Sequence, residues 1–493
     1  MDTVDDLTHL AALANGVRVL VLRTPQRRTL ELSVFVHTGS QHESARDSGI
    51  SHVVEHMAFK GSATRDCQRI NLDAEMLGAQ VNAHTDKDHS AFHMSGLADD
   101  AVALLRMLAD IVLTPTFPAE ELERERQVIL HEYLDDEDDP LSVAFRLFDK
   151  DCWGAHALAL PVIGTRRNIE RFTRCELRAY VQRQYTGANL LVAVAGDVDA
   201  QAIAREAERC FGALPHGAGN QVAAPLWHGG LSTRTLSGTP QTHAVLGFPI
   251  PGLGGAHAPA VVAAALLGDG MSSPLMDELR ERRGLVYYAA CSADVLELAG
   301  QFVIEASTSP QRLDEFFAET QRLLLAHAQA VDAAQLARAR RQLLVRHLRR
   351  QDQPAQRLEQ AALELFATGR VRRSDEQLEA LQSASADAGG GVATTWFVDP
   401  DDSLGATFVL SGKGSASGAV AEWVFTDAGS PTLVIGQVYG AGGNTGAVFN
   451  NDYIQIFNRS ASTVSLNGLS LQYASATGTG TLGSSGLITV LPN

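Results

Sequence analysis

The stretch of sequence that decides the fold reads Ser51-His52-Val53-Val54-Glu55-His56-Met57-Ala58-Phe59-Lys60-Gly61. On a helix, His52 and His56 lie one above the other on one face, because they are four residues apart. Two neutral imidazoles at that spacing can bind a zinc ion from one side. Glu55 falls on the same side, where a carboxylate can take a proton from an activated water and pass it to a leaving amine.

The residues around the two histidines favour a helix. Ser48 or Ser51 is the expected N-cap, and Gly61 is expected to end the helix. The remaining faces carry apolar side chains, namely Ile50, Val53, Val54, Met57, Ala58 and Phe59. A chance match to so short a motif is the competing interpretation, so the motif needs a further ligand to carry weight.

A second predicted helix, over residues 118–135, offers that further ligand. A hydrolytic zinc site uses three protein ligands and leaves one position open. The candidates on this helix are Glu123, Glu125 and Glu132. Apolar neighbours surround Glu132, which predicts an inward carboxylate with a cation partner, since a buried unpaired carboxylate is costly. The competing interpretation is that it is one more solvated acid.

Length and composition restrict the class of protein. A chain of 493 residues is too long for one core, so two to four domains are expected. No run of 18 apolar residues occurs, so no membrane span is predicted. The net charge of −17 disfavours nucleic acid and anionic membranes as partners. The acidic start lacks an export signal, which predicts the cytoplasm, and five scattered cysteines predict no disulfide framework.

Strand and helix patterns alternate along the first 213 residues and predict a mixed α/β domain. The predicted strands cover residues 17–23, 30–37, 78–85, 90–95 and 190–197, and the further helices cover 98–113 and 199–211. Residues 213–230 are rich in Gly, Ala and Pro and are interpreted as a linker.

The motif from His52 to Gly61 resembles the signature of the pitrilysin, insulysin and mitochondrial processing peptidase family. In that family the third ligand is a glutamate about 75 residues beyond the second histidine, and 75 residues lie between His56 and Glu132. The resemblance therefore implies Glu132 as the ligand and Glu125 as a supporting acid. It also implies that substrate backbone pairs along the strand Asn82-Ala83-His84-Thr85, so that Asn82 and Ala83 bind substrate.

An internal repeat is visible in the second half of the chain. The stretch 261–268 aligns on 53–60 at an offset of 208, and 336–344 aligns on 122–130 at an offset of 214. The positions of His52, Glu55 and His56 are then occupied by Ala260, Ala263 and Ala264, and those of Glu125 and Glu132 by Ala339 and Arg346. The sequence thus predicts the same fold twice, with metal ligands in the first copy alone.

The second copy carries its own motif, Gly270-Met271-Ser272-Ser273 followed by Arg283-Gly284-Leu285-Val286-Tyr287. Its resemblance to the family implies that Arg280 and Tyr287, seven residues apart, reach over the substrate. A guanidinium can bind a substrate carbonyl, and a phenol can donate to the developing oxyanion. The alternatives are a surface arginine and a core tyrosine, or a one-residue slip that gives the role to Tyr288.

The composition changes after residue 414. Residues 415–493 carry four charged side chains, and short apolar runs between turns predict a β-sandwich. The segments 437–446 and 451–458 resemble the bacterial lamin-tail domain, which is immunoglobulin-like, and imply a partial copy of it.

The predicted architecture is α+β, with two homologous α/β sandwich halves that close as a clamshell and a small all-β segment after them. Residues 1–213 form the catalytic half, 214–230 the linker, 231–414 the metal-free half and 415–493 the lamin-tail-like part. The resemblance implies a Zn²⁺-dependent endopeptidase or oligopeptidase that acts on peptides or unfolded segments, alone, as a homodimer or with a related subunit. The alternatives are a non-catalytic subunit of the same fold and an interaction protein that acts through the β tail.

Overall fold

The computed structural model describes residues 7–382 with their side chains, together with the backbone of Ser383, of strand β1 and of six strands beyond residue 400. The chain divides into two compact units, residues 1–384 and 385–493. No described helix is both long and apolar enough to cross a bilayer.

The first half of unit one is built on a seven-stranded sheet. Its strands are β1 (Asp2–Asp5), β2 (Thr8–Ala12), β3 (Arg18–Arg23), β4 (Thr29–Val36), β5 (Gln80–Thr85), β6 (Ser90–Leu97) and β7 (Leu190–Gly196). Their order is β1-β2-β3-β7-β4-β6-β5, and β3 and β7 are the parallel pair. Strand β5 is therefore at one edge, where its partner is β6.

Eight helices belong to this half. They are α1 (Ile50–Ala58), α2 (Cys67–Met76), α3 (Ala101–Leu113), α4 (Ala119–Asp138), α5 (Pro140–Trp153), α6 (Arg166–Arg171), α7 (Arg174–Gln184) and α8 (Ala200–Phe211). Helices α1, α3, α7 and α8 pack on one face of the sheet and bury a large apolar core with it. The predicted layer of helices on one face is thus found.

The second half carries a three-stranded antiparallel sheet in the order β8-β10-β9. The elements are β8 (Thr242–Ile250), α9 (Ala258–Gly268), α10 (Pro274–Met276), β9 (Val286–Val295), β10 (Gly300–Thr308), α11 (Leu313–Gln329), α12 (Ala333–Gln351), α13 (Pro354–Thr368) and α14 (Ser374–Ser383). Helices α9, α12 and α13 fall where offsets of 208, 214 and 214 place α1, α4 and α5, which agrees with the predicted repeat.

Each half lends one helix to the open face of the other half's sheet. Helix α13 buries Leu358, Ala362 and Leu365 against the face of the first sheet that α1 does not cover. In return, Phe148 and Trp153 of α5 pack in a cluster with Val303 of the second sheet. Both helices begin at a proline, Pro140 and Pro354, which the repeat aligns on each other. Proline suits the first helical position because its missing N–H has no partner there.

The segment between the halves is irregular but packed. Residues 215–236, all described, form no helix or strand. The Trp227 ring packs edge-on against Trp153 at a centroid distance of 5.2 Å, and Asn220 donates from its amide to His37 O at 2.6 Å. The predicted linker is therefore fixed to the first half.

Unit two contains three antiparallel strand pairs. The strands are β11 (Thr407–Lys413), β12 (Val420–Thr426), β13 (Leu433–Tyr439), β14 (Tyr453–Asn458), β15 (Ser470–Gln472) and β16 (Ile488–Val490), paired in that order. The strand around Val409, expected to mirror β7, pairs here with β12. Most residues of the lamin-tail-like segment lie outside the described part of the chain, and that assignment and the domain boundaries stay predictions.

Candidate metal centre

Helix α1 presents its histidines because its other face is anchored in the core. Ile50, Val53, Val54 and Met57 are buried, which leaves His52, Glu55 and His56 half-buried on the side that faces α4 and β5. The 3.6-residue period of the apolar positions thus sets the direction in which the polar side chains point.

The start of α1 is capped by a carboxylate from outside the helix. The predicted caps, Ser48 and Ser51, are wrong, since the N-cap is Gly49 in the left-handed region with φ of 95°. Glu43 accepts hydrogen bonds from Gly49 N at 2.7 Å and from Ser51 N at 2.8 Å. Ser51 Oγ also donates to Glu43 at 2.6 Å and lies 2.6 Å from the hydroxyl of Tyr180. A carboxylate suits this position because it satisfies free N–H groups and the helix dipole.

The side chains of His52, His56 and Glu132 converge. The two Nε2 atoms lie 3.3 Å apart, and Glu132 Oε2 lies 3.4 Å from His56 Nε2 and 3.8 Å from His52 Nε2. Ligands of a tetrahedral zinc ion with bonds of about 2.0–2.1 Å are about 3.3 Å apart. Two imidazole nitrogens and a carboxylate oxygen at these distances therefore fit zinc and leave a fourth position open.

The protonation of the two imidazoles also suits a metal. Burial, and then the neighbouring His56 ring, lower the pKa of His52 to about 3, so this ring is neutral at ordinary pH. His56 Nδ1 lies 3.2 Å from Glu125 Oε2. A carboxylate there accepts the Nδ1 hydrogen and leaves the lone pair of His56 Nε2 for an ion.

The two glutamates of α4 differ from the sequence-based expectation. The side chain of Glu132 is 43% exposed, so the prediction of an inward carboxylate among apolar neighbours is wrong. The buried acid is Glu125, and its cation partner is Lys60, whose Nζ lies 2.6 Å from Oε1. Lys60 stands in the motif after α1, but its role depends on the packing of α1 against α4, which no local pattern shows.

Glu55 is held by the edge strand. Its Oε2 accepts a hydrogen bond from Thr85 Oγ1 at 2.8 Å. Burial raises the pKa of Glu55, while the Thr85 hydroxyl and the His56 ring lower it and the Glu132 carboxylate raises it. Glu55 therefore senses the charge of both ligands, and Thr85 is a site residue that sequence reasoning did not single out.

The predicted substrate strand is the edge strand β5. Asn82 is exposed, and its Oδ1 accepts from the N–H of Ala83 at 2.9 Å. The neighbouring β6 pairs along one side, with Asn82 opposite His93 and Ala83 opposite Phe92. The geometry thus places Asn82 and Ala83 next to Thr85 and Glu55.

The structure does not bring Arg280 and Tyr287 to the ligands. The guanidinium of Arg280 lies 5.2 Å from the centroid of the Tyr287 ring, and Tyr287 is 77% exposed. Within the described part of the chain, no hydrogen bond or ion pair joins either side chain to His52, His56 or Glu132. Tyr288 donates instead to Glu305 at 3.0 Å.

Comparison with known proteins decides the family. Residues 18–166 match the family model described as Insulinase (Peptidase family M16), and residues 171–343 match the Peptidase M16 inactive domain. The chain belongs to the M16 peptidase family. This confirms the resemblance seen in the motif around His52.

Two relatives illustrate the membership in the M16 family. An uncharacterized zinc protease of Rickettsia felis is 29% identical over 384 residues, which cover 77% of this chain and 92% of that protein. An uncharacterized zinc protease of Bacillus subtilis is 32% identical over 305 residues, which cover 61% of this chain and 74% of that protein. The prediction of a zinc protease is therefore confirmed in general terms.

Solved M16 structures share the fold. The peptidase M16 inactive domain from Pseudomonas fluorescens aligns with a TM-score of 0.68 at 21% identity and covers 76% of this chain and 91% of that one. A protease from Helicobacter pylori aligns with a TM-score of 0.69 at 19% identity and covers 76% and 93%. The predicted α/β fold is confirmed by these alignments.

The second M16 half has apolar or basic residues where the first has its ligands. Ala264 and Ala339, the counterparts of His56 and Glu125, are buried in the core. Arg346, the counterpart of Glu132, forms an ion pair with Asp269. The described residues of this half thus contain no zinc-binding group at these positions, in agreement with the predicted loss of ligands.

Proposed function

We propose that this M16 peptidase is an endopeptidase or oligopeptidase that hydrolyses peptides or unfolded protein segments. The observation that carries the proposal is the convergence of His52, His56 and Glu132 within hydrogen-bonding range of one another, with Glu55 on the same face of α1. All the groups that hydrolysis needs are therefore on the first half of the chain.

The chemistry follows from the positions of these groups. Zinc, when bound by His52, His56 and Glu132, supplies Lewis-acid activation of water. The Glu55 carboxylate accepts the proton that the attacking water loses, and it then donates this proton to the nitrogen of the leaving amine. Because burial raises the pKa of Glu55, its acid and base forms are closer in free energy than those of an exposed glutamate. That is what a group needs if it must hold and then release a proton.

The edge strand gives the substrate class. A peptide can add to β5 as a further antiparallel strand only if it is extended, so folded proteins are poor substrates. Asn82 and Ala83 would then bind substrate backbone, and the Thr85–Glu55 hydrogen bond holds the base beside it. We further propose that Arg280 and Tyr287 contact the substrate from the second half, since both have polar groups open to solvent.

The deciding experiment is cleavage of a mixed peptide library, with and without a chelator. We expect cleavage by the wild-type chain, loss of cleavage with the chelator, and loss of cleavage in Glu55→Gln with zinc content unchanged. Glu120→Gln is the matched control, because its side chain on α4 is 88% exposed. Bound zinc without cleavage by the wild-type chain would contradict the proposal and favour a non-catalytic subunit.

A further inference from the structure

A second cluster of metal-binding side chains lies on the other face of the first sheet. Successive side chains of a strand point to opposite faces, so Thr85 of β5 points to Glu55 on α1 while His84 points to Glu359 on α13. His89, in the turn between β5 and β6, completes the cluster with His84 and Glu359. The cluster thus joins the first sheet to a helix of the second half.

The three ligand atoms are arranged like those of the first site. His84 Nε2 and His89 Nε2 lie 3.2 Å apart, and Glu359 Oε1 lies 3.3 Å from His84 Nε2 and 3.7 Å from His89 Nε2. The distances are close to the separation of about 3.3 Å between ligands of a tetrahedral zinc ion. Two imidazole nitrogens and one carboxylate oxygen again leave one position open.

The outer nitrogens of both rings are already occupied, as in protein metal sites. His89 Nδ1 lies 2.7 Å from Asp88 Oδ1. This carboxylate takes the Nδ1 hydrogen and leaves His89 Nε2 with a lone pair. His84 Nδ1 lies 3.0 Å from His93 Nε2, and His93 Nδ1 lies 2.7 Å from Ser33 Oγ. When Ser33 accepts at the end of this relay, His84 Nε2 also carries a lone pair.

A proton does not satisfy this arrangement as well as an ion does. A hydrogen on His84 Nε2 could serve His89 Nε2 or Glu359 Oε1, since a hydrogen bond needs a near-linear approach to one acceptor. A divalent cation contacts all three atoms. We propose that His84, His89 and Glu359 form a second binding site for zinc or a similar divalent transition metal.

The third histidine cluster of the described chain shows the contrast. There, Glu297 Oε2 lies 2.8 Å from His37 Nε2 and accepts from Gln41 Nε2 at 2.9 Å. His42 Nδ1 accepts from the backbone N–H of Gly39 at 3.1 Å. The acceptors of this cluster have donors, so it needs no ion.

An ion at the second site would have a structural effect. His89 is buried, whereas the side chains of His84 and Glu359 are each 37% exposed, so the ion can enter from solvent. Bound there, it would tie α13 to the edge of the first sheet. The binding free energy would then add to the stability of the contact between the halves.

The test uses the full-length chain with the first site removed by His52→Ala and His56→Ala. Equilibrium dialysis against Co²⁺ should leave about one ion per chain, with the visible absorption of a tetrahedral site. Adding His84→Gln or Glu359→Gln should remove that ion. His42→Gln in the third cluster is the matched control and should keep it. Far-UV circular dichroism checks that each variant is folded, and the half-exposed Glu359 tolerates the amide if His84→Gln does not.

Two results would overturn the proposal. A folded His52→Ala/His56→Ala chain that binds no Co²⁺ would show that His84, His89 and Glu359 hold a proton instead. An ion that survives Glu359→Gln but is lost in His42→Gln would belong to the cluster around His37. Because the first site is absent throughout, neither result bears on peptide hydrolysis.

Discussion

The Nδ1 atom of His56 lies 3.2 Å from a carboxylate oxygen of Glu125, one helix away. The other oxygen of the same carboxylate pairs with Lys60 at 2.6 Å. Glu125 therefore holds the orientation of a metal-binding ring while its own charge is balanced by a cation. Such second-layer carboxylates strengthen the metal bond of a histidine.

Glu125→Gln is expected to weaken zinc binding by about 10–100-fold. The amide keeps the shape of the side chain but removes the charge that polarises the His56 ring. The measurement is zinc affinity by competition with a chromophoric chelator, with added zinc restoring activity. Glu123→Gln is the control, since Glu123 lies on the same helix and is 69% exposed. Equal affinity in wild type and Glu125→Gln would show that the contact does not support the metal.

Thr85→Val is expected to move the acidic limb of the pH profile of kcat/KM to higher pH, by about one unit. The Thr85 hydroxyl lowers the pKa of Glu55, because its hydrogen bond favours the ionised carboxylate. Without it the pKa rises further above the ordinary value of 4.5. Activity, which needs the carboxylate as base, then falls at a higher pH. Thr85→Ser keeps the hydroxyl and should behave like wild type; a limb that stays in place in Thr85→Val would contradict the assigned role of Glu55.

Tyr287→Phe is expected to lower kcat by about 10–1000-fold with zinc content unchanged. The reason is loss of a phenol that donates to the developing oxyanion. Tyr288→Phe is the matched control on the same strand, because its hydroxyl donates to Glu305. If Tyr288→Phe lowers kcat and Tyr287→Phe does not, the register of the predicted motif is shifted by one residue.

Leu358→Ala is expected to lower the free energy of unfolding by about 2–5 kcal/mol. Leu358 is fully buried between α13 and the first sheet, so truncation leaves a cavity. Leu348→Ala on α12 is the control, since Leu348 is 48% exposed and its truncation leaves no cavity. The measurement is denaturant unfolding. Similar midpoints for the two variants would show that α13 does not hold the first sheet.

The sequence predicts what depends on short-range spacing. Four-residue spacing places His52 and His56 on one face of a helix, and the repeat offset places α13 where α5 stands in the first half. These inferences need one helix at a time, and helical geometry is the same in every fold. The resemblance to the M16 family then supplies the glutamate that spacing alone leaves open among three.

What the sequence does not predict depends on contacts between distant elements. The cap of α1 comes from Glu43, the cation beside Glu125 from Lys60, and the partner of His84 from Glu359. A buried carboxylate is expected to have a partner, but the pattern around Glu132 suggested the wrong one of two acids on α4. The packing of α1 against α4 decides that question.

The exchange of α5 and α13 between the two sheets has a consequence for the gene. A break in the coding sequence between residues 213 and 236 would yield two polypeptides, each missing a helix that covers its sheet and each carrying the helix that the other lacks. Such fragments should be insoluble when produced separately and should reassemble when produced together. The architecture therefore permits evolution from one reading frame to an obligate pair of genes without any new interface.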